Sequence, residues 1–218
     1  MQDVAMIEFL LKMGPLGGPL MLCSVVSLAV ILDRGAALLR ARPPRRRDVE
    51  QLLALADKGA RDELIQAVER IPPPFGNGAG ILARNAGEAL SIREDLAALW
   101  LVDLHRALTR NLRLLNLIAV ISPLLGLLGT VVGMIMAFQH IAAIDRPVNP
   151  AVVADGLWQA MLTTAFGLII AVPALLCVHL YRMRIERLTG GLESDLNRLN
   201  LTLEIARRKP EREARDEP

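Results

Sequence analysis

Thr130 and Thr164 are the residues best placed to do chemistry in this chain. Each sits on a stripe of small residues inside a long apolar window. One stripe runs Ala119, Ser122, Gly126, Gly129/Thr130, Gly133 and Ala137, and the other Gly156, Ala160, Thr164, Gly167, Ala171 and Ala174. Spacings of three and four put each set on one helix face, and small faces let membrane helices approach closely. Thr130 lies eight residues before Phe138, and Thr164 eight residues after Gly156. Counted from those window ends, both hydroxyls fall about 12 Å below one boundary. Two hydroxyls at one depth predict a polar ring lining an ion pathway. Thr163 and Gln159, spaced i, i+4, extend that polarity outward on a neighbouring face. The competing reading is packing alone, because a threonine in a membrane helix commonly bonds its own backbone. Packing accounts for most of Gly126, Gly129, Gly133, Ala160, Gly167 and Ala171.

The windows that hold these residues contain no Asp, Glu, Lys or Arg. A proton path through hydrocarbon needs an ionisable relay, so any relay must come from a partner helix. Pro123 and Pro173 also lie inside the windows, where proline loosens or kinks a helix. They are candidate hinges. Other chemistries find no residues: there is no G-x-x-x-x-G-K-[ST] and no G-x-S-x-G. His105, His140 and His179 fall in three regions without metal-ligand spacing. Aromatics make up only 3%, too few for base-stacking surfaces. The expectation is a non-enzyme with no cofactor, no metal and no nucleic-acid partner.

The elements that must position the threonines are membrane spans. Of the 218 residues, 53% are hydrophobic, and the mean hydropathy is +0.38, too apolar for an ordinary soluble domain of this size. The charge-free windows are Met13–Leu32, Leu114–Ile144 and Gly156–Tyr181, of 20, 31 and 26 residues. Each meets the roughly 20 residues a spanning helix needs. The first window starts too late and runs too long for a signal peptide. Of 25 Lys and Arg, 23 lie in segments 33–113 and 182–218. The positive-inside rule makes those segments cytoplasmic, with the N-terminus outside and the C-terminus inside. Cys23 and Cys177 lie in different spans, at depths about 18 Å apart by counting from the helix starts, which excludes a disulfide between them.

The expected fold is therefore an all-α membrane protein with three transmembrane helices and long cytoplasmic helical extensions. The expected organisation is a lead-in at 1–12, spans at 13–32, 114–141 and 156–181, a cytoplasmic helical domain at 33–113, a short periplasmic loop at 142–155, and a cytoplasmic tail at 182–218. Within the cytoplasmic segments, Asp48–Gln51 and Ser91–Glu94 read as capping boxes. They predict a short helix over 48–58, stopped by Gly59, and a long one that runs from Ile92 unbroken through the second span. A further helix is predicted over 62–71, with Pro72–Pro74 and the following Phe75-Gly-Asn-Gly78 as a break. The apolar stripe Leu96, Leu99, Trp100, Leu104, Leu108, Leu112 and Leu115 needs a covering partner. Ile185, Leu188, Leu192, Leu196, Leu199 and Leu203 predict a tail helix that supplies it. Residues 207–218 read as disordered. The basic run at Arg40, Arg42 and Arg45–Arg47 anchors orientation and can also hold anionic membrane lipid.

Three segments resemble the spans of the MotA/TolQ/ExbB family. Gly17-Gly-Pro-Leu-Met21 with Ser27 and Asp33-Arg34 resembles the first span of ExbB and TolQ proteins. Ile118–Phe138 is similar to the second, and Gly156–Ala174 to the third. The resemblance implies a homopentamer in the bacterial inner membrane around a pair of single-span helices from an ExbD/TolR-like protein. Those helices bring the membrane aspartate. It also implies the proton-motive force as energy source, a TonB- or TolA-like third component, and Thr130 and Thr164 as polar residues lining the interior. Where many ExbB and TolQ members carry Glu, this chain has Gln159, which hydrogen-bonds but cannot titrate. The expectation is a multi-span motor subunit, and the alternative is a membrane scaffold that conducts nothing.

Overall fold

The computed structural model describes residues 16–142 and 150–216. The lead-in at 1–12 and residues 143–149 of the connection at 142–155 lie outside the described residues. Seven α-helices and no strand occur among those described: α1 (Gly17–Arg40), α2 (Arg46–Asp57), α3 (Arg61–Glu69), α4 (Phe75–Arg84), α5 (Leu90–Thr109), α6 (Leu112–Ala142) and α7 (Pro150–Asp216). Three of the helical stretches are long and apolar enough to cross a membrane. The protein is an all-α membrane protein.

Local sequence sets the helix ends. Helix α1 stops at Arg40 because Pro43-Pro44 follows, and a residue before proline disfavours the α conformation. Helix α2 starts at Arg46, with no side-chain cap on Arg45, so the Asp48 capping box is unused. Its far end is closed as the sequence predicts. Gly59 takes φ +68°, Ala60 N–H donates to Leu55 O at 3.3 Å, and Gly59 N–H donates to Ala56 O at 3.1 Å. This pair of bonds is the Schellman closure of a helix C-terminus. Helix α5 likewise begins at Leu90 without a side-chain cap, one residue ahead of Ser91.

Two expectations fail for definable reasons. The long helix from Ile92 is interrupted: Arg110 is extended (φ −49°, ψ 138°) and Asn111 has φ +63°. Asparagine is among the few side chains that tolerate this left-handed region. Phe75-Gly-Asn-Gly78 is the start of α4 rather than a break. Its glycines serve close packing: a Cβ on Gly78 would meet Trp100 at 2.7 Å and Leu196 at 2.9 Å. The chain beyond Arg207 is also helical, to Asp216, where composition alone predicts disorder.

By internal packing the chain divides into two units. One takes in Met1–Arg34 and Asn111–Leu180, and the other Gly35–Arg110 and Tyr181–Pro218. In the first unit, α1, α6 and the first part of α7 form a three-helix layer. Leu20, Ile118 and Ile170 make one buried cluster, with Cys23 against it. Val30, Leu115, Ala119, Ala174 and Val178 make another, with Cys177 against it. These pairings run α1 parallel to α7 and α6 antiparallel to both. They set Cys23 and Cys177 about six residues apart along the axis, roughly 9 Å. That is half the separation counted from the helix starts and still beyond disulfide reach; both thiols are free.

The second unit is a helical bundle. The tail residues Ile185, Leu188, Leu192, Leu196, Leu199 and Leu203 are all buried. Leu52, Leu64, Val68, Phe75, Leu82 and Ala97 of α2 to α5 are buried in the same unit, where Leu196 lies against Gly78 and Leu203 lines one cavity with Ala56 and Leu64. Full burial of such a side chain stabilises by about 1.5–3 kcal/mol relative to exposure. The α5 stripe is narrower than expected: Leu108 is buried, but Leu99 is 64% exposed.

A small-residue seam as the candidate functional site

Helices α6 and α7 meet along the two small-residue stripes. A Cβ on Gly126 would lie 2.9 Å from Thr163 O and from Thr164 Cα, and one on Gly133 would lie 3.1 Å from the Ala160 Cβ. One on Gly129 would strike the Thr163 side chain, one on Gly167 the backbone carbonyl of Ser122, and one on Gly156 the Ala137 Cβ at 2.7 Å. Ala160 is buried in this seam at 1% exposure, and Ala171 is buried at 5%. The fit requires glycine at several positions, since any side chain would force the backbones apart. Without a hydrophobic drive between helices in lipid, this close packing is what holds them together.

The hydroxyls divide into two kinds. Thr163 is 2% exposed. Its Oγ1 donates to Ala160 O at 2.7 Å, with Gly126 O at 3.4 Å. Thr164 is half-buried, and its Oγ1 donates across the seam to Gly126 O at 2.9 Å. Thr130 is also half-buried, and its Oγ1 donates to Leu127 O at 2.7 Å within its own helix. The pairing of Gly133 with Ala160 and of Gly129 with Thr163 sets Thr130 and Thr164 within about one helical turn in depth. Sequence reasoning puts Thr163 on a neighbouring face with Gln159, whereas the structure turns Thr163 into the seam. Gln159 belongs to α7, but its side chain lies outside the described residues. Ser122 is fully buried and donates to Ile118 O at 2.7 Å.

Three consequences follow for chemistry. Each threonine proton is committed to a backbone carbonyl, so the half-buried hydroxyls present lone pairs outward and act as acceptors. No group of Asp, Glu, His and Cys side chains suited to a metal occurs among the described residues. Pro123 and Pro173 lie within unbroken helices.

One polar cluster in the second unit goes unremarked in the sequence. Arg93 is fully buried on α5, and its Nη2 donates to Glu204 Oε2 at 2.6 Å. Glu204 also accepts from Arg207 Nη2 at 2.9 Å and from Arg208 Nε at 2.7 Å. The hydrogen bonds from Arg207 and Arg208 hold the Glu204 carboxyl down at about 2, against the opposing effect of burial. Burial lowers the Arg93 pKa, with Glu204 opposing. Arg93 Nε and Nη1 and the nearby-in-sequence Asn200 Oδ1 have no protein partner. The available signal is that Arg93 precedes Ala97 by one turn, while Asn200 and Glu204 continue the Leu192–Leu196 row at intervals of four.

Comparison with known proteins agrees with this architecture. The sequence model of the MotA/TolQ/ExbB proton channel family matches residues 81–194. The chain is 36% identical over 196 residues to biopolymer transport protein exbB1 of Vibrio cholerae, covering 88% of this chain and 86% of that protein. It is 29% identical over 118 residues to a putative biopolymer transport protein ExbB homolog of Methanothermobacter thermautotrophicus, covering 54% of this chain and 37% of that one. It is 43% identical over 68 residues to biopolymer transport protein ExbB of Salmonella typhimurium, covering 31% of this chain and 28% of that one. A match that takes in the second and third spans and half of the sequence, with a relative aligned almost end to end, means that the chain belongs to the MotA/TolQ/ExbB proton channel family and is an ExbB-like subunit of membrane energy transduction.

Proposed function

We propose that this chain is the multi-span subunit of a proton-motive-force-driven motor in the bacterial inner membrane. It acts with an ExbD/TolR-like single-span protein, and its N-terminus is outside and its C-terminus inside. Copies of the chain, five by family resemblance, surround the partner helices, and a TonB- or TolA-like protein carries the output to the envelope. The transmembrane potential supplies roughly 2.3 kcal/mol per charge per 100 mV.

The observation that carries this reading is the half-buried hydroxyl pair in apolar windows free of Asp, Glu, Lys and Arg. Thr130 and Thr164 give their protons to Leu127 O and Gly126 O, and the spans hold no Asp, Glu, Lys or Arg between Leu114 and Gln139 or between Gly156 and Tyr181. These windows hold no carboxylate, and His179 lies about 22 Å along the helix from Thr164. Its hydroxyl lone pairs can accept a hydrogen bond from a protonated carboxylic acid but offer no donor to a carboxylate. A partner aspartate that faces this seam is therefore favoured in its neutral form. It gives up the proton where water or another donor set replaces the seam. Thr163 supports this site by packing, Pro123 and Pro173 are the proposed points of helix adjustment, and Gln159 is a hydrogen-bonding neighbour of the path.

The test is Thr130→Val and Thr164→Val in a strain that depends on this chain for energised uptake. Each variant is expected to remain membrane-assembled and to lose transduction, with Thr164→Ser retaining it. Full transduction in both valine variants would overturn the proposal.

A further inference from the structure

We infer that the end of the membrane unit where α1 and the third span emerge is a binding surface for the phosphate headgroups of anionic phospholipid. Gly35 and Tyr181 are the point of reference. A Cβ on Gly35 would lie 3.1 Å from Tyr181 Oη, so the two parallel helices leave the apolar windows side by side. Beyond that level residues 35–47 carry Arg40, Arg42, Arg45, Arg46 and Arg47 and no carboxylate, and residues 182–187 carry Arg182, Arg184 and Arg187 with Glu186. All eight arginines are exposed, and none forms an ion pair with a carboxylate among the described residues.

This concentration is local. The whole chain has a formal net charge of +2, so outside these two segments it is net acidic. A globally basic protein would spread its charge; here the cations collect at one end of the apolar windows. The three arginines that follow the third window stand at headgroup height. Arg182, Arg184 and Arg187 lie within about 9 Å of the end of the third window along the helix, and the interfacial layer of a bilayer is about 5–8 Å thick. Pro43-Pro44 ends α1 and keeps Arg42 to Arg45 extended, so the guanidinium groups are not stacked on one helix face. A guanidinium forks onto two phosphate oxygens, which an orientation signal alone does not require. Juxtamembrane cations near an anionic leaflet each contribute roughly a fivefold preference.

The experiment uses the full chain, in the complex in which it purifies, in nanodiscs of equal parts phosphatidylcholine and phosphatidylglycerol. Lipid retained through detergent exchange is quantified by native mass spectrometry. The wild type is expected to enrich phosphatidylglycerol at least fivefold over phosphatidylcholine, with less enrichment at high salt. Arg45→Gln/Arg46→Gln/Arg47→Gln, which leaves five arginines to set orientation, is expected to lose most of that enrichment. Arg106→Gln, at an exposed arginine on α5 paired with Asp103, is expected to keep it. Inorganic phosphate added to discs of phosphatidylcholine alone is expected to leave thermal stability unchanged, whereas phosphatidylglycerol raises it. Equal retention of both lipids by the wild type overturns the inference, as does enrichment that survives the triple substitution. An effect of free phosphate equal to that of the lipid overturns it in favour of a soluble-anion site.

Discussion

Glu204→Gln is expected to destabilise the helical bundle of the second unit by about 3–5 kcal/mol, the range for removing one member of a buried ion pair. The magnitude comes chiefly from Arg93. Its guanidinium is fully buried, two of its nitrogens already lack partners, and Glu204 is its only ion-pair partner among the described residues. A glutamine amide halves the acceptor oxygens and turns an NH2 toward three guanidinium groups, so Arg93 keeps its charge without a counter-ion. Arg207 and Arg208 are 41% and 59% exposed and can turn to water, so losing their bonds adds only about 0–1 kcal/mol each. A domain's whole stability is about 5–15 kcal/mol, so the loss is large. Urea unfolding of the purified protein in a mild detergent, followed by helical circular dichroism, measures it. The apolar double variant Arg93→Met/Glu204→Leu is expected to recover most of the loss, because it removes both buried charges together. A cost below about 1 kcal/mol for Glu204→Gln, or a double variant as weak as the single, would refute the reasoning. The pH dependence has a definite sign. The folded carboxyl sits at about 2 rather than 4.5. Its contribution is therefore full above 4.5 and is lost as pH falls from there toward 2. In the wild type this window shows a fall in stability that Glu204→Gln lacks.

Gly129→Ala is expected to cost about 1–3 kcal/mol in the detergent-solubilised protein through overpacking. Thr163→Ala should relieve it, because the obstacle is the Thr163 side chain. Gly167→Ala meets the Ser122 backbone carbonyl instead, and no side-chain truncation opposite should rescue it; thermal unfolding of the two pairs separates the cases. Gly190→Ala and Gly191→Ala, in the middle of α7 with open space around each Cβ, should each stabilise the helix by up to about 1 kcal/mol, read in the same urea titration. Copper-phenanthroline oxidation should yield no intrachain Cys23–Cys177 bridge, seen as an unshifted band on non-reducing gels.

The sequence carries the membrane seam and the tail helix plainly because both rest on periodicity. Stripes of small residues at intervals of three and four admit one face, and the row from Ile185 to Leu203 is buried as its spacing demands. Thr163 is less legible. Its hydroxyl and methyl fit either a path or a seam, and the choice depends on which glycine lies opposite, here Gly129. Asn111 was indistinguishable from a helical residue because its left-handed φ is a backbone property that asparagine permits but does not announce. At Asp48 and Ser91 the helices begin a residue or two earlier, at Arg46 and Leu90, so both side chains already lie in the first turn and cap nothing. In α4 the glycines read as breakers because their value lies in the neighbours they admit, Trp100 and Leu196 for Gly78. Arg93 and Glu204 are separated by 111 residues, so neither segment alone reveals that the two charges meet.

Purifying the tagged chain from native membranes in mild detergent, and identifying what comes with it by mass spectrometry, tests whether it works with an acid-bearing partner. A single-span protein with an aspartate in its span is expected, bound to several copies of this chain, because the Thr130–Thr164 seam offers acceptors and no acid of its own. Recovery of this chain alone across several detergents would contradict the motor reading and leave a scaffold that conducts nothing.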